Sequence, residues 1–268
     1  MDHVTLDESP FAPGRGPARI RVRRWGRGKP VVLLHGGWGY EAYPFDRQAE
    51  ALALRFRVLA PDRTGYGQSG RLPDLPQDFH RLAAEETLRV LDALRIREAA
   101  LWGHSDGAVV AAWAALLQPQ RVRGLILEAF HHLKAKERSV EFFQTGADAP
   151  ERLGEELSRT LEADHGADWR KVVRMGAHAW LRIIAEGRSG ERDLHQGRLG
   201  EIRAPVLVLH GERDPRTEPG EIDALRRALP AARIHLLDAG HSPHNGRRTA
   251  EACTLLAAAF LDEVWAGR

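Results

Sequence analysis

The sequence predicts an α/β protein built on an open, mostly parallel sheet. Three observations predict it. Short apolar runs alternate with amphipathic stretches along most of the chain. The loops that carry glycine, histidine and carboxylate together each follow one of those runs. Residues 130–200 break the alternation with helix-like pieces and no good strand.

The elements follow in order. Ile20–Trp25 alternates apolar and polar residues, which suits an antiparallel first strand. Val31–Leu34, Val58–Ala60, Ala99–Trp102, Leu125–Leu127, Val206–Leu209 and Ile234–Leu237 are near-continuous apolar runs. Such runs fit strands buried on both faces of a parallel sheet. Between them, Arg81–Arg95 repeats leucine at helical spacing, and Ala108–Leu117 is alanine- and leucine-rich, stopping before Pro119. Glu221–Leu229 ends at Pro230, and Thr249–Trp265 is the last helical stretch. In the strandless segment, helix-like pieces fall at Glu137–Gln144, Glu151–Ala163 and Trp169–Glu186. The last carries Trp169, Val172, Val173, Ala177, Trp180, Leu181 and Ile184 along one face. That face packs on the core for most of its length, and part of it is a candidate pocket lining.

Composition narrows the function classes. The 268 residues are 43% hydrophobic and 28% charged, with a net charge of +2. The charges are scattered in both signs, which argues against a nucleic-acid partner. The basic run Arg19–Arg27 reads as a solvated strand face. The apolar runs are too short to cross a bilayer, so no membrane is expected. Met1–Pro17 has acids and prolines and no apolar h-region, so the expected compartment is the cytoplasm. The single cysteine, Cys253, lies in an apolar helix and reads as a buried, inert thiol.

The chemistry concentrates in four motifs. Gly103-His104-Ser105-Asp106-Gly107 joins a strand to a helix. Its glycines permit a sharp turn that lifts the Ser105 hydroxyl out of the sheet, at a helix N-terminus that favours negative charge. His35-Gly36-Gly37-Trp38-Gly39 follows Val31–Leu34, and a glycine loop there can aim amides at a developing oxyanion. The amide of Asp106 and that of Gly37 are the candidate donors, with Trp38 the alternative to Gly37. His210-Gly211-Glu212-Arg213-Asp214-Pro215 places Asp214 at a strand's carboxyl end. Asp238-Ala239-Gly240-His241 places a histidine after the last strand. A serine needs a histidine to take its proton, and the histidine needs a carboxylate to fix its tautomer. Ser105, Asp214 and His241 are therefore the candidate catalytic residues.

With these motifs the chain resembles the α/β-hydrolase superfamily over nearly its whole length. Pro61–Ser69 is similar to the family's loop after its fourth strand. The resemblance implies the α/β-hydrolase fold: an eight-stranded, mostly parallel sheet with helices on both faces. It also implies a core of residues 1–129 and 201–268, with a helical cap at 130–200 inserted after strand six. Serine at the elbow argues against the branches that use aspartate there, the haloalkane dehalogenases and epoxide hydrolases. The GxSDG elbow is similar to that of the valacyclovir hydrolase (biphenyl hydrolase-like) branch, which implies that Asp106 binds a substrate amine. A structural role, bonded to neighbouring amides, is the alternative for Asp106.

Glu128, Trp38 and His104 complete the candidate substrate contacts, and Glu128 is also a fallback acid for the triad. His131 and His132 are neighbours that rarely point at one metal, and no second cluster stands out in the sequence. They read as a cap hinge, so no metal and no organic cofactor is expected. The expected substrate is a small-molecule ester, and the expected assembly a monomer or homodimer. A carbon–carbon bond hydrolase acting on ring-cleavage products and an iminopeptidase share the triad and stay open. So do a cofactor-free perhydrolase or lyase, and a non-catalytic, ligand-sensing member of the fold.

Overall fold

The computed structural model describes residues 3–190 and 192–267. Eight strands form one sheet: β1 His3–Leu6, β2 Ala18–Trp25, β3 Lys29–Leu34, β4 Phe56–Pro61, β5 Ala99–His104, β6 Val122–Glu128, β7 Val206–Gly211 and β8 Arg233–Leu237. Their order is β1-β2-β4-β3-β5-β6-β7-β8. β1 and β2 run antiparallel to their neighbours, and the remaining pairs are parallel. Every residue of β5 and β7 is buried, which requires cover on both faces.

Strand alternation divides the core in two. Val32, Leu34, Leu101, Leu125, Leu127 and Val208 face α2 (Phe79–Ala93) and α3 (Asp106–Leu117). Val31, Leu33, Ala100, Trp102, Ile126, Leu207 and Leu209 face α1 (Asp46–Leu52) and α8 (Ala250–Ala266). Cys253 lies in this second layer, fully buried, and burial pushes its thiol pKa up. Helix α7 (Glu221–Ala228) connects β7 to β8.

Two elements carry no signal in the sequence. β1 has four residues and gains its order from pairing with β2. α1 has seven, too few to display a helical period. The run Arg19–Arg27 is also less solvated than a bare charge pattern implies. Arg23 is paired with Asp62, Glu41 and Asp164.

Between β6 and β7 the chain forms α4 (Val140–Asp148), α5 (Glu155–His165) and α6 (Trp169–Ser189). The end of α5 docks on the loops after β3 and β4. His165 Nε2 lies 2.9 Å from the Trp38 carbonyl, and His165 Nδ1 accepts from the Gly67 amide at 3.0 Å. Among the described residues no helix is long and apolar enough to cross a membrane.

The turn from β5 into α3 fixes the position of Ser105. Gly107 lies where a Cβ would stand 2.0 Å from the Leu34 carbonyl of β3. Only a residue without a Cβ lets the helix start so close to the sheet. Gly107→Ala is expected to lower stability by about 1–3 kcal/mol through forced overpacking. A urea unfolding midpoint unchanged from the parent chain would contradict this account of the turn.

Candidate active site

Ser105 caps α3 with φ 53° and ψ −120°, a backbone region that non-glycine residues rarely occupy. Such local strain is held only where the surroundings over-determine it. Here the Ser105 amide donates to the Glu128 carbonyl at 2.9 Å, and the Ser105 carbonyl receives the amides of Ala108 and Val109.

Asp214 and His241 meet across the ends of β7 and β8. His241 Nδ1 lies 2.9 Å from Asp214 Oδ2, the contact that sets a tautomer with Nε2 free to act as a base. Burial opposes the Asp214 charge, but the hydrogen bond and charge of His241 and the Arg216 amide outweigh it. The Asp214 carboxyl is held at about 2. Burial, and then the Arg216 guanidinium, lower His241 to about 4 despite Asp214. His241 is therefore neutral across the physiological range.

Two imidazoles lie at the elbow. Ser105 Oγ lies 3.3 Å from His131 Nε2, within reach of a hydrogen bond. The rings of His131 and His241 stack at 5.6 Å and 12°. His241 Nε2 is buried without a hydrogen-bond partner. Burial, with Lys136, His241, Arg216 and His210 nearby, keeps His131 well below the ordinary histidine value.

The glycine loop after β3 is held from beneath. Arg63 Nη2 donates to the Gly36 carbonyl at 2.8 Å, and His35 Nε2 accepts from the Arg63 amide at 3.1 Å. Gly37 sits so close to the elbow that a Cβ there would stand 3.1 Å from Asp106 Oδ2. Gly37, Trp38, Ser105, Asp106 and His131 line one cavity, with Trp180 of α6 and Arg216 among its other walls. Its volume is about 10 Å³, room for about one water. Phe143 of α4 and Trp180 of α6 wall the space with rings stacked at 5.4 Å.

Asp106 is buried in this wall. Its Oδ1 accepts from Trp180 Nε1 at 3.0 Å and lies 3.4 Å from His80 Nε2. Its Oδ2 has no hydrogen-bond partner and lies 3.9 Å from Arg63 Nη2. Burial opposes the charge, but His80, Arg63 and Trp180 together lower the Asp106 pKa.

Two residues nominated from sequence as substrate contacts lie elsewhere. Glu128 is fully buried and accepts from Trp102 Nε1 at 3.0 Å and from the His244 amide at 2.9 Å. His244 Nδ1 also lies 2.7 Å from it. With its oxygens turned into the sheet layer, Glu128 faces neither the cavity nor His241, so it serves neither as a rim carboxylate nor as the triad acid. His104 is fully buried as well, 2.9 Å from Ser242 Oγ and 3.1 Å from the His241 carbonyl through Nε2. It supports the loop that carries His241.

Residues beyond those nominated complete the site. Trp180 belongs to the amphipathic stripe in the sequence, but the stripe does not mark which of its residues turns toward Ser105. Arg216 follows Asp214 by two residues, and its guanidinium lies 4.0 Å from the Phe142 ring centroid. The pairing of His131 with Ser105 has no local signal, because strand order alone brings the ends of β5 and β6 together.

A family model described as the alpha/beta hydrolase fold matches residues 29–170. The chain belongs to the α/β-hydrolase fold family. A similar family member is the mouse (Mus musculus) protein named serine hydrolase BPHL, 29% identical over 231 residues. That match covers 84% of this chain and 77% of the relative. Pimeloyl-[acyl-carrier protein] methyl ester esterase of Nitrosomonas europaea is 28% identical over 258 residues, covering 84% and 94%. Among solved α/β-hydrolase structures, a thermophilic esterase from Thermogutta terrifontis superposes with a TM-score of 0.71 at 25% identity. It covers 98% of this chain and 99% of its own.

Proposed function

We propose that this α/β-hydrolase cleaves carboxylic esters through an acyl-enzyme on Ser105, with His241 as base and Asp214 as its orienting carboxylate. The observation that carries the reading is the neutral His241, oriented by Asp214, beside a serine on a strained elbow. Rotation about the Ser105 Cα–Cβ bond turns Oγ from His131 toward His241 Nε2. His241 takes the hydroxyl proton as Oγ attacks the ester carbonyl. The oxyanion lies against the amides of Asp106 and Gly37, with Trp38 the alternative to Gly37. His241 then protonates the leaving alcohol, and water releases the acid by the same route. His131 holds the hydroxyl in the resting state and keeps it from solvent. The similar relatives named as esterases support the ester reading over carbon–carbon cleavage or peptide hydrolysis.

A fluorophosphonate probe tests the class, and a single covalent adduct on Ser105 is expected. Absence of an adduct at neutral pH would point to a ligand-sensing protein instead.

The unpartnered Asp106 Oδ2 favours a narrower reading, in which α-amino-acid esters are preferred because the ammonium group pairs with that oxygen. Asp106→Asn is then expected to lower kcat/KM for amino-acid esters by about 10–100-fold, from loss of a charged hydrogen bond of about 1.5–3 kcal/mol. Simple acyl esters should fall far less. Equal losses on both substrate sets would leave Asp106 a purely structural anion, tied to Trp180 and His80.

A further inference from the structure

Two clusters of histidine and carboxylate differ in how their protons are placed. His104, Glu128 and His244 bring one ligand atom each within 4.8 Å of one another. There, the oxygens of Glu128 and the ring nitrogens of His244 all have partners, and only His104 Nδ1 lacks one among the described residues. Glu128 receives the His244 amide and pairs with His244 Nδ1, and His104 Nε2 meets Ser242 Oγ. His132, Asp193 and His195 converge within the same 4.8 Å, and both imidazoles keep an Nδ1 without a hydrogen-bond partner among the described residues.

His195 is fully buried, with its ring 5.4 Å from both Trp113 and Phe130. Its Nε2 lies 3.2 Å from the Val109 carbonyl, an atom that can only accept. The proton therefore sits on Nε2 and leaves a lone pair on Nδ1. That Nδ1 has no hydrogen-bond partner, and neither has the buried Nδ1 of His132. Asp193 is held in place by the His195 amide at 2.7 Å on Oδ1 and the Gly197 amide at 2.8 Å on Oδ2. Each oxygen keeps a lone pair. A buried ring nitrogen left without a partner is costly unless something positive or protic lies against it.

We propose that His132, Asp193 and His195 form a binding site for a divalent transition-metal ion of the Zn²⁺ type, through the two Nδ1 atoms and an Asp193 oxygen. Two imidazole nitrogens and one carboxylate suit such a borderline-soft ion, with water in the remaining position. The Val109 carbonyl supplies the outer hydrogen bond that orients a ligating histidine.

The site has a clear mechanical consequence. His132 lies where the chain leaves β6 for the helical insertion, and Asp193 and His195 lie where it returns. The two passages already pair through the Leu194 amide on the His132 carbonyl at 3.0 Å and the Lys134 amide on the Arg192 carbonyl at 2.8 Å. An ion there clamps the base of α4–α6 next to His131, which faces Ser105. Asp193 and His195 sit at the far end of the insertion from His132. No local spacing in the sequence reveals the set, and His131 and His132 read alone do not suggest it.

The test uses the full chain, stripped with EDTA and titrated with Zn²⁺ against a chromogenic chelator. One equivalent is expected, and saturating Zn²⁺ should raise the thermal midpoint, since an ion that binds only the folded state stabilises it. Co²⁺ in its place should give visible d–d bands of a low-symmetry site. Asp193→Asn and His132→Gln should each weaken Zn²⁺ binding by at least about tenfold. Unchanged fluorophosphonate labelling of Ser105 in these variants would show that their fold is intact. Uptake of no ion by the parent chain would mean that water satisfies the three acceptors, and the proposal falls. Equal binding by parent and variants would place the ion on other histidines and overturn the proposal as well. A parent chain that binds Zn²⁺ but takes no probe on Ser105 would overturn the hydrolase reading and leave the metal site standing.

Discussion

Ser105→Ala is expected to lower kcat/KM for p-nitrophenyl esters by roughly 10⁴–10⁶, the scale seen when a nucleophile that acts as one unit with its base is removed. The fold should be untouched, because among the described residues the Ser105 hydroxyl hydrogen-bonds only with His131, and the structural bonds at this position are made by its backbone. Ser105→Gly gives a second readout. It loses the hydroxyl but relieves the positive φ of 53°, so it should be equally inactive yet more stable than Ser105→Ala. The two imidazoles then separate. His241→Gln should cost about as much as the loss of the serine, and the double variant little more, since both act in one step. His131→Gln should cost only about 3–10-fold, the worth of a hydrogen bond of 0.5–1.5 kcal/mol. A His131→Gln loss as deep as that of His241→Gln would transfer the base to His131 and break the present assignment. Steady-state kinetics on the five variants, with circular dichroism as the check on folding, decide it.

Much of this site is legible in the sequence, for a physical reason. The parallel sheet delivers each strand's carboxyl end to the same edge, so a motif placed after a strand is placed at the site. Ser105, Asp214 and His241 carry enough local signal for that rule to act on them. Gly37 and Asp106 ride on the same loops. Glu128 shows where the rule misleads. It too ends a strand, but the His244 amide and ring fold back over it, and a contact so distant in the chain has no local trace. Trp180 fails in the opposite way. Its helix is readable from its period, but the docking of that helix depends on the end of α5, where His165 meets the Trp38 carbonyl and the Gly67 amide. β1 and α1 are invisible because four and seven residues are too few to show a period.

Acid should unfold the protein before it protonates His241. His35, His80, His104, His210 and His241 all have pKa values lowered first by burial. In the unfolded chain each takes a proton near pH 6.5. Below that pH the unfolded state binds more protons than the native state, so stability rises with pH and is lost as pH falls. Each group contributes up to about 1.4 kcal/mol per pH unit between its folded value and 6.5. The total stability they act against is small, about 5–15 kcal/mol for an ordinary domain. Two carboxyls act in the other direction. Burial raises the pKa of Glu86 and Asp164, and the stability they add is lost as pH rises. Asp214, held at about 2, adds stability above the ordinary carboxyl range that is lost only in stronger acid. The histidines therefore dominate as pH falls below 6.5, and a cooperative transition is expected before pH reaches 4. That lies above the value of about 4 at which His241 itself takes a proton. Ester hydrolysis should thus show an acid limb that steepens with incubation time and follows the loss of tryptophan fluorescence. A rapid pH jump, read before unfolding, should leave most activity in place at pH 5. Native fluorescence and circular dichroism that persist to pH 4 after long incubation would refute the burial of neutral imidazoles as the source of acid sensitivity.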